Sequence, residues 1–275
     1  MFQSTIRPTN MNFEDKIVWI TGASSGIGEA LAWEFARLGA HVVLSSRNIH
    51  KLKELAENIK NRYSVTTEVI PVDFADKDKV LQAIEEFKKR YNKIDILVNN
   101  AGISQRSLLI ETPLEIDRKI FEINYFGTIT ITKGILPLML ASGGGHIVVM
   151  SSVVGKFGFS LRSSYSASKH ALHGFFETLR CELSDKNIKV TIICPGRIHT
   201  NISINAITSD GSSYDKMDEG QSKGIPATVF AKKVVRAMKR NRKEVASGGK
   251  EILMIYIRRF FPWLYYILAS RIKPT

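Results

Sequence analysis

Short hydrophobic runs alternate with amphipathic segments from residue 16 onward. Within each run the apolar residues are consecutive, which is typical of strands that are buried on both faces of a parallel sheet. The runs predict strands at 16–21, 41–46, 66–73, 94–100, 146–152 and 188–196. Between them the apolar residues recur every three or four positions, which predicts helices at 26–39, 51–60, 78–91, about 113–138 and about 164–184.

The alternation of strands and helices predicts an α/β fold in which helices cover both faces of one parallel sheet. Right-handed crossovers make such a sheet doubly wound, as in the Rossmann fold. We assign residues 14–249 to a single domain of this kind. Residues 1–13 lack the apolar stretch of a secretory signal and are interpreted as a loose leader, and residues 250–275 as a C-terminal helical extension.

Two segments depart from the alternating pattern. Residues 200–225 are polar and rich in Gly and Ser, and we expect them to close over a substrate as a lid. Residues 250–272 are apolar and aromatic, and Pro262 is expected to divide them into two short helices. Arg258 and Arg259 interrupt this apolar run, which argues against a membrane span. The segment is expected to wall the substrate mouth, to contact a partner subunit, or to lie in a membrane interface.

The composition fits one large globular domain and excludes several other classes of protein. The chain has 275 residues, of which 44% are hydrophobic, enough for a full core. Its two cysteines, Cys181 and Cys194, give no disulfide framework, and they fit a reducing, cytoplasmic location. No window reaches the roughly 18–20 apolar residues of a spanning helix. The histidines show no ligand spacing, so we predict no metal site, and His173 is interpreted as a packing or surface residue.

The net charge of +13 is concentrated at the carboxyl end. Residues 231–275 hold twelve Lys and Arg against only two acidic residues, Glu244 and Glu251. A basic patch can bind nucleic acid. No nucleic-acid-binding motif accompanies it, so we predict no nucleic-acid partner. Together with the aromatic residues of the extension, the cations favour peripheral contact with a membrane.

A glycine-rich turn, TGASSGIG at 21–28, joins the first predicted strand to the first predicted helix. Gly22 permits a tight turn, Gly26 lets the backbone approach a phosphate, and Gly28 allows close packing of helix on strand. The helix N-terminus adds free amides and a positive dipole. Because a strand precedes the turn and an amphipathic helix follows it, the turn indicates a nucleotide-binding site.

Tyr165 and Lys169 lie four residues apart in the sequence YSASK. On a helix these positions share one face, so the ammonium can approach the phenol. A nearby positive charge favours the phenolate and lowers the tyrosine pKa from its usual value of about 10. Such a pair can exchange a proton with an alcohol or a carbonyl, although the same spacing also occurs on solvated helix faces.

These features occur together with further motifs, and the set resembles the short-chain dehydrogenase/reductase family. The matching segments, in order along the chain, are TGASSGIG, NNAG (99–102), EINYFG with Asn124, SSVVG with Ser152, YSASK and PGRIHT. The resemblance spans roughly residues 14–248. The sequence SKHALHGFFETLRCEL and the apolar C-terminus look like the branch that contains the dehydrogenase/reductase member 7 proteins and the microsomal 11-beta-hydroxysteroid dehydrogenases.

The resemblance implies a role for each matching residue. Tyr165 would be the general acid in carbonyl reduction and the base in alcohol oxidation, and Lys169 would lower its pKa and bind the nicotinamide ribose. Ser152 would donate a hydrogen bond to the substrate oxygen, and Asn124, in a helix that it bends, would hold a water leading to Lys169. The implied cofactor-binding residues are Gly22, Ser24, Ser25, Gly26, Ile27, Gly28, Ser46, Arg47, Asp73, Phe74, Asn100, Ala101, Gly102, Tyr165, Lys169, Pro195, Gly196, Ile198 and Thr200.

The end of the second strand indicates which nicotinamide cofactor is used. An acidic residue there would hold the adenosine ribose and repel a 2′-phosphate, but the chain reads Ser45–Ser46–Arg47–Asn48. Arg47 can bind a 2′-phosphate, so we predict NADP(H) rather than NAD(H). Alternatively, Arg47 is a solvated loop residue or stacks on adenine.

Other readings of these residues remain open. Asn99 and Asn100 can simply end a strand, Asn124 can be an ordinary kink residue, and Ser151 is the alternative to Ser152. The predicted protein is an NADP(H)-dependent oxidoreductase that acts on a carbonyl or secondary alcohol of an apolar substrate. The alternatives are an NAD(H)-dependent hydroxysteroid-type dehydrogenase and a non-catalytic nucleotide-binding regulator. The resemblance also implies a homodimer or homotetramer formed through helices 113–138 and 164–184.

Overall fold

The computed structural model describes residues 11–272, so most of the expected leader and the last three residues of the extension lie outside the described part. Its strands are β1 (Ile17–Thr21), β2 (His41–Ser45), β3 (Thr67–Val69), β4 (Ile96–Asn99), β5 (Gly145–Met150), β6 (Ile188–Pro195), β7 (Ile198–His199), β8 (Ile225–Pro226) and β9 (Glu244–Ser247). Seven of them form one sheet in the order β3-β2-β1-β4-β5-β6-β9, and every neighbouring pair in it is parallel. β7 and β8 pair separately.

Helices connect these strands and cover both faces of the sheet. They are α1 (Gly26–Arg37), α2 (Ile49–Arg62), α3 (Lys77–Arg90), α4 (Leu114–Phe121), α5 (Gly127–Ala141), α6 (Ser163–Glu182), α7 (Glu219–Ser222), α8 (Ala227–Lys239), α9 (Leu253–Phe260) and α10 (Pro262–Arg271). Among residues 11–272, no helix combines the length and the hydropathy needed to cross a bilayer.

The side chains of β1 show how the core is divided between the two faces. Val18 and Ile20 point to one face and pack in a cluster with residues of α1, α2 and α8. Trp19 points to the other face, where residues of α3, α5 and α6 form a second cluster, and it stacks on Phe87 with ring centroids 4.5 Å apart. Each face of the sheet is therefore sealed by its own layer of helices, which confirms the predicted doubly wound α/β fold.

Four strands differ from the sequence-based expectation, and two of these are the short β7 and β8, which were not predicted. β3 comprises only Thr67–Val69, although the hydrophobic pattern predicted a strand at 66–73; Pro71, which has no N–H to donate, follows soon after. β9, at the edge of the sheet beyond β6, was not predicted at all. Its sequence EVAS is short and only partly buried, so it lacks the apolar run by which the other strands were recognised.

The predicted helix at 113–138 is α4 and α5, joined by a π-helical turn at Glu122–Phe126. The two helices form one continuous rod that contains Asn124 in its π-turn. α5 continues to Ala141 although Pro137 lies inside it. The extension at the C-terminus consists of a 3-10 turn at Lys250–Ile252 followed by α9 and α10, with Pro262 as the first residue of α10.

Candidate active site

The carboxyl ends of β1 and β4 meet at the centre of the sheet, where the strand order reverses and a crevice forms. The glycine-rich turn follows β1 directly. Gly22 has a φ of +65°, and a Cβ there would lie 2.9 Å from Ala101 Cα. A Cβ on Gly28 would overlap the carbonyl oxygen of Gly22. Larger residues would therefore force the turn, the start of α1 and the end of β4 apart.

The N-terminus of α1 forms a cradle suited to a phosphate. Its first N–H groups have no carbonyl partner within the helix, and they carry the positive end of the helix dipole. Ser24, Ser25, Gly26 and Thr200 border a cavity of about 420 Å³ beside this turn. These residues fit the diphosphate of a dinucleotide.

The NNAG segment fastens the end of β4 to the glycine-rich turn. The Asn100 side-chain amide donates to the carbonyl oxygens of Thr21 and Gly22, at 3.0 and 3.1 Å. The Ala101 N–H donates to Thr21 Oγ1 at 3.0 Å, and the Asn99 amide donates to Thr132 Oγ1 on α5. The two asparagine side chains thus hold strand ends in place, which agrees with the structural reading left open by the sequence.

Tyr165 lies in the first turn of α6, and Gln105 fixes the position of that turn. The side-chain oxygen of Gln105 accepts hydrogen bonds from the N–H groups of Ser164 and Tyr165, at 2.9 and 3.2 Å. It thereby satisfies two of the helix's free N–H groups, which a side chain at the N-cap would otherwise do. Gln105 is fully buried in the segment after β4. Its two hydrogen bonds connect that segment to the start of α6.

The phenol of Tyr165 is buried among groups that act on its pKa in opposite directions. Burial raises the pKa, and a hydrogen bond with the Ser152 hydroxyl and the positive charges of Arg106 and Arg162 lower it. Ser152 itself follows β5, and its hydroxyl also accepts from the Val154 N–H at 3.3 Å. The predicted serine therefore contacts the predicted tyrosine.

Lys169 shares the face of α6 with Tyr165, as the spacing predicted. Its Nζ lies 5.9 Å from the centroid of the Tyr165 ring and donates to the Met150 carbonyl oxygen at 2.8 Å. Burial lowers the pKa of Lys169 to about 8. A Cβ on Gly102 would come within 3.3 Å of Nζ, so the glycine leaves room beside the ammonium.

Asn124 is buried in the π-turn and clamps the chain after β4. Its Oδ1 accepts from the Ile103 N–H at 2.8 Å, and its amide donates to the Ile103 carbonyl oxygen and to Ser168 Oγ, at 3.0 and 3.1 Å. Ser168 neighbours Lys169, and Gly102 neighbours Ile103. Asn124 thus connects the chain beside the glycine-rich turn with the helix that carries the tyrosine and the lysine.

A buried ion cluster of Arg106, Arg162 and Asp218 was not predicted. Asp218 belongs to the polar segment 200–225, and both guanidinium groups bind its carboxylate. Arg162 stands three residues before Tyr165, a spacing that could have suggested it. No sequence signal pairs either arginine with Asp218, because that contact depends on how the long segment folds back. These two ion pairs therefore hold the segment 200–225 against the cavity.

The remaining predicted cofactor residues are spread along the carboxyl edge of the sheet. Arg47 is exposed after β2, and Ser46 is buried, with its hydroxyl accepting from the Asn48 N–H. Asp73 accepts from the Ala75 N–H, and the Phe74 side chain is buried against Gly127 at the start of α5. The structure therefore brings Phe74 to the core between β3 and α5.

One cavity of about 710 Å³ contains about half of the predicted site residues. The predicted residues that line it are Ile27, Asn100, Gly102, Ser152, Tyr165, Lys169, Pro195, Gly196, Ile198 and Thr200. It is also lined by Phe157, Met254, Arg106, Arg162 and Asp218. A ligand in this cavity can touch both the glycine-rich turn and the tyrosine, so the residues fit a dinucleotide with a second molecule beside it.

A parallel doubly wound sheet with a glycine-rich turn at its central crevice and a buried tyrosine beside a lysine is the arrangement expected of a dinucleotide-dependent oxidoreductase. The family comparison agrees. The family model described as short chain dehydrogenase matches residues 16–210, and this chain belongs to that family of oxidoreductases. The family resemblance read from the motifs is thereby confirmed.

Two relatives come from distant animals. Dehydrogenase/reductase SDR family member 7B of Mus musculus is 41% identical over 262 residues, covering 94% of this chain and 81% of the relative. Dehydrogenase/reductase SDR family protein 7-like of Drosophila melanogaster is 40% identical over 263 residues, covering 93% and 80%. Each of these two matches thus covers more than nine tenths of this chain.

Solved structures share the architecture. L-Sorbose reductase from Gluconobacter frateurii, complexed with NADPH and L-sorbose, is 28% identical with a TM-score of 0.78 and covers 88% of this chain and 98% of its own. A short chain dehydrogenase from Shigella flexneri, complexed with NADP, is 26% identical with a TM-score of 0.75 and covers 87% and 98%. A short chain dehydrogenase/reductase from Burkholderia phymatum shares the fold at 22% identity and a TM-score of 0.81, covering 96% and 99%.

Proposed function

We propose that the protein transfers a hydride between NADP(H) and a carbonyl or secondary alcohol, with Tyr165 as the general acid and base. The observation that carries this proposal is the Tyr165 phenol in the large cavity, hydrogen-bonded to Ser152 and beside Lys169. A bound nicotinamide supplies or accepts the hydride. The protein then has to place the substrate oxygen and move one proton at the phenol oxygen.

Each side chain has one task in this reaction. Ser152 donates a hydrogen bond to the substrate oxygen, where negative charge develops during reduction. Tyr165 gives its proton to that oxygen in reduction and takes it back in oxidation. Lys169 favours the phenolate and binds the ribose hydroxyls of the cofactor. Asn124 binds Ile103 and Ser168 and thereby positions the backbone beside Lys169. It also holds a water molecule that relays protons to the Lys169 ammonium.

The test replaces the phenolic hydroxyl. Tyr165→Phe should lower kcat by about 10²–10⁴-fold, because proton transfer by a positioned side chain contributes this much. Tyr63→Phe, at the end of α2 and outside the cavity, is the matched control and should keep parental turnover. Turnover is measured by absorbance of the reduced cofactor on a panel of ketones and alcohols. Equal rates for Tyr165→Phe and the parent would refute the catalytic assignment.

The preference for NADP(H) rests on the loop after β2. This loop contains no carboxylate. The exposed Arg47 can bind a 2′-phosphate, and the small Ser46 leaves space for it. Two solved relatives of at least 26% identity hold NADPH or NADP, which supports the same choice.

The cofactor preference is tested at the arginine. Arg47→Gln should lower kcat/KM for NADPH by roughly tenfold and leave the value for NADH nearly unchanged, because only the 2′-phosphate loses a charge-assisted hydrogen bond. Lys53→Gln, exposed on α2, is the control for a change of surface charge. A parent enzyme that prefers NADH would overturn the assignment.

The proposed substrate is apolar apart from its reacting oxygen. Val153, Val154, Phe157 and Met254 form an apolar wall on the substrate side of the cavity. α9 contributes the methionine, so the C-terminal extension takes part in this wall. The proposed lid is the segment 200–225, held by Asp218.

The cysteines and the exposed surface of the chain bear on its location and assembly. The two cysteines are unpaired, and this supports a cytoplasmic location. Peripheral membrane contact is proposed for the outer face of α9 and α10, where exposed aromatic residues accompany Arg258 and Arg259. A homodimer or homotetramer is proposed through α4, α5 and α6, where Phe126 is exposed, and light scattering of the purified chain would measure its mass.

A further inference from the structure

A second cluster of polar groups lies behind the active-site serine, between α6 and the edge strand β9. His173 lies on α6, one turn after Lys169. Its side chain is buried, with a relative exposure of only 7%. Its Nδ1 lies 3.7 Å from Glu177 Oε1, on the same helix, and 3.7 Å from Glu244 Oε2, on β9. Nδ1 has no hydrogen-bond partner among residues 11–272.

The hydrogen bonds around His173 fix which ring nitrogen carries the proton. The Ser151 hydroxyl donates to the Lys169 carbonyl oxygen at 3.1 Å, so toward the histidine it can only accept. His173 Nε2 lies 3.0 Å from Ser151 Oγ and therefore carries the proton. With its proton on Nε2, the neutral ring presents a bare lone pair at Nδ1.

This lone pair faces two carboxylates, an arrangement that a cation would stabilise. Lys156 Nζ already binds Glu244 Oε2 at 2.6 Å, which offsets one of the two negative charges. A carboxylate has about four lone-pair sites, so Glu244 can accept from Lys156 and still bind a second cation. Glu177, about half exposed, has no basic partner other than the histidine among the ion pairs of the described chain.

We propose that His173 Nδ1, Glu177 and Glu244 bind a divalent transition-metal ion, with Zn²⁺ as the favoured occupant. One imidazole and two carboxylates form a donor set that Zn²⁺ accepts at about 2.0–2.2 Å, and tetrahedral ligand atoms are then about 3.4 Å apart. The observed separations of 3.7 Å need only a small movement of the two glutamates, which are partly exposed. Ser151 holds the tautomer that binding requires.

The nearby thiol does not belong to the ligand set. Cys194 Sγ lies 3.7 Å from His173 Nε2, the protonated nitrogen on the other side of the ring. A bound metal would instead join α6 to β9, the strand that ends the sheet, and would stabilise the helix that carries Tyr165 and Lys169.

The test is titration of the full chain with ZnCl₂ after treatment with a chelator. Calorimetry should give one equivalent of Zn²⁺ per chain, and the melting temperature should rise by a few degrees because only the folded chain has the site. Co²⁺ in place of Zn²⁺ should give a visible d–d absorption. Glu177→Gln should weaken Zn²⁺ binding by more than about tenfold. Since this side chain is 52% exposed, the variant should fold.

The matched control is Glu182→Gln, which removes an exposed carboxylate at the end of the same helix and should bind Zn²⁺ like the parent. Parental affinity in Glu177→Gln would place the bound metal elsewhere and overturn the proposal. If the parent shows neither a heat of binding nor a thermal shift, Zn²⁺ does not bind and the proposal is wrong. A water molecule alone would then satisfy Nδ1. The experiment measures binding and needs no substrate, so it is independent of the proposed reaction.

Discussion

Ser151 and Ser152 follow β5 side by side, but their hydroxyls have different partners. Ser152 contacts the Tyr165 phenol, whereas Ser151 binds the Lys169 carbonyl oxygen and His173. Neighbouring residues of an extended segment point to opposite sides, which explains the division. The spacing to Tyr165 favoured Ser152 from the sequence, and the structure gives the physical reason for that preference.

Replacement of these two serines should therefore have unequal effects on turnover. Ser152→Ala should lower kcat by about 10²–10³-fold, as expected for loss of one donor to a developing negative charge. The same change removes a hydrogen bond that lowers the Tyr165 pKa, so the fall in reduction rate at alkaline pH should move to higher pH. Ser151→Ala is the matched control. Comparable losses in both variants would contradict the assignment of Ser152.

At the residue scale, short-range patterns could be read from the sequence and long-range contacts could not. The i,i+4 spacing placed Lys169 beside Tyr165 correctly, because helix geometry alone determines it. Gln105 and Arg106 act on Tyr165 from the segment after β4, and neither belongs to a local pattern. Asp218 reaches the site only because the segment 200–225 folds back over it.

Among the elements, β5 and β6 are joined by a buried histidine as well as by their backbone. The His146 Nε2 lies 2.8 Å from Thr191 Oγ1, and Thr191 in turn donates to the Arg242 carbonyl oxygen. The threonine therefore accepts from the ring, which carries a proton on Nε2. Burial lowers the pKa of His146 to about 3.

This lowered pKa predicts a loss of stability in mild acid. The unfolded chain binds a proton at this histidine near its usual pKa of about 6.5, and the folded chain does not until about pH 3. Between these values, protons favour the unfolded state, so the free energy of unfolding falls as the pH falls. From pH 7 to pH 5 the contribution is roughly 2 kcal/mol.

The measurement is urea unfolding at both pH values, with His146→Gln as the comparison. Gln keeps a donor for Thr191 and does not titrate, so the variant should lose roughly 2 kcal/mol less than the parent between pH 7 and pH 5. An equal loss in parent and variant would show that other groups account for the acid sensitivity.

How well an element could be predicted depended on how completely it is buried. β1, β4 and β5 are almost completely buried, and each was predicted from its run of apolar residues. β9 is recognisable only from its backbone pairing with β6, since two of its four residues are half-buried and one is exposed. The π-turn at Glu122–Phe126 adds only one residue to the helical repeat, so the sequence suggested a bend at Asn124 and no more.

At the scale of the whole molecule, the C-terminal extension has an inner face that packs against the α/β domain and an outer face that is exposed. Tyr265 is buried against Phe157, and its hydroxyl donates to the Gly158 carbonyl oxygen. Phe260 and Trp263 remain 67% and 64% exposed. Of the three roles that the sequence left open for this segment, only contact with the large cavity can be examined within a single chain, and Met254 of α9 lines that cavity.

The outer face should bind an anionic lipid surface. Phe260→Ser together with Trp263→Ser should reduce co-sedimentation with vesicles that contain phosphatidylserine, and the melting temperature should stay at the parental value because both side chains are exposed. Val229→Ser, a 45% exposed apolar residue on α8, is the control. Parental co-sedimentation by the double variant would remove the membrane proposal.

The π-turn at Glu122–Phe126 accommodates one extra residue within the rod formed by α4 and α5. Each residue of a regular α-helix advances the helix by about 100°, whereas the wider π-turn takes up its extra residue locally. If these residues instead formed a regular α-helix of the same length, α5 would rotate through about that angle relative to α4. Thr128 and Ile131, now buried, would then turn away from the core, so the π-turn keeps the buried face of α5 in phase with α4.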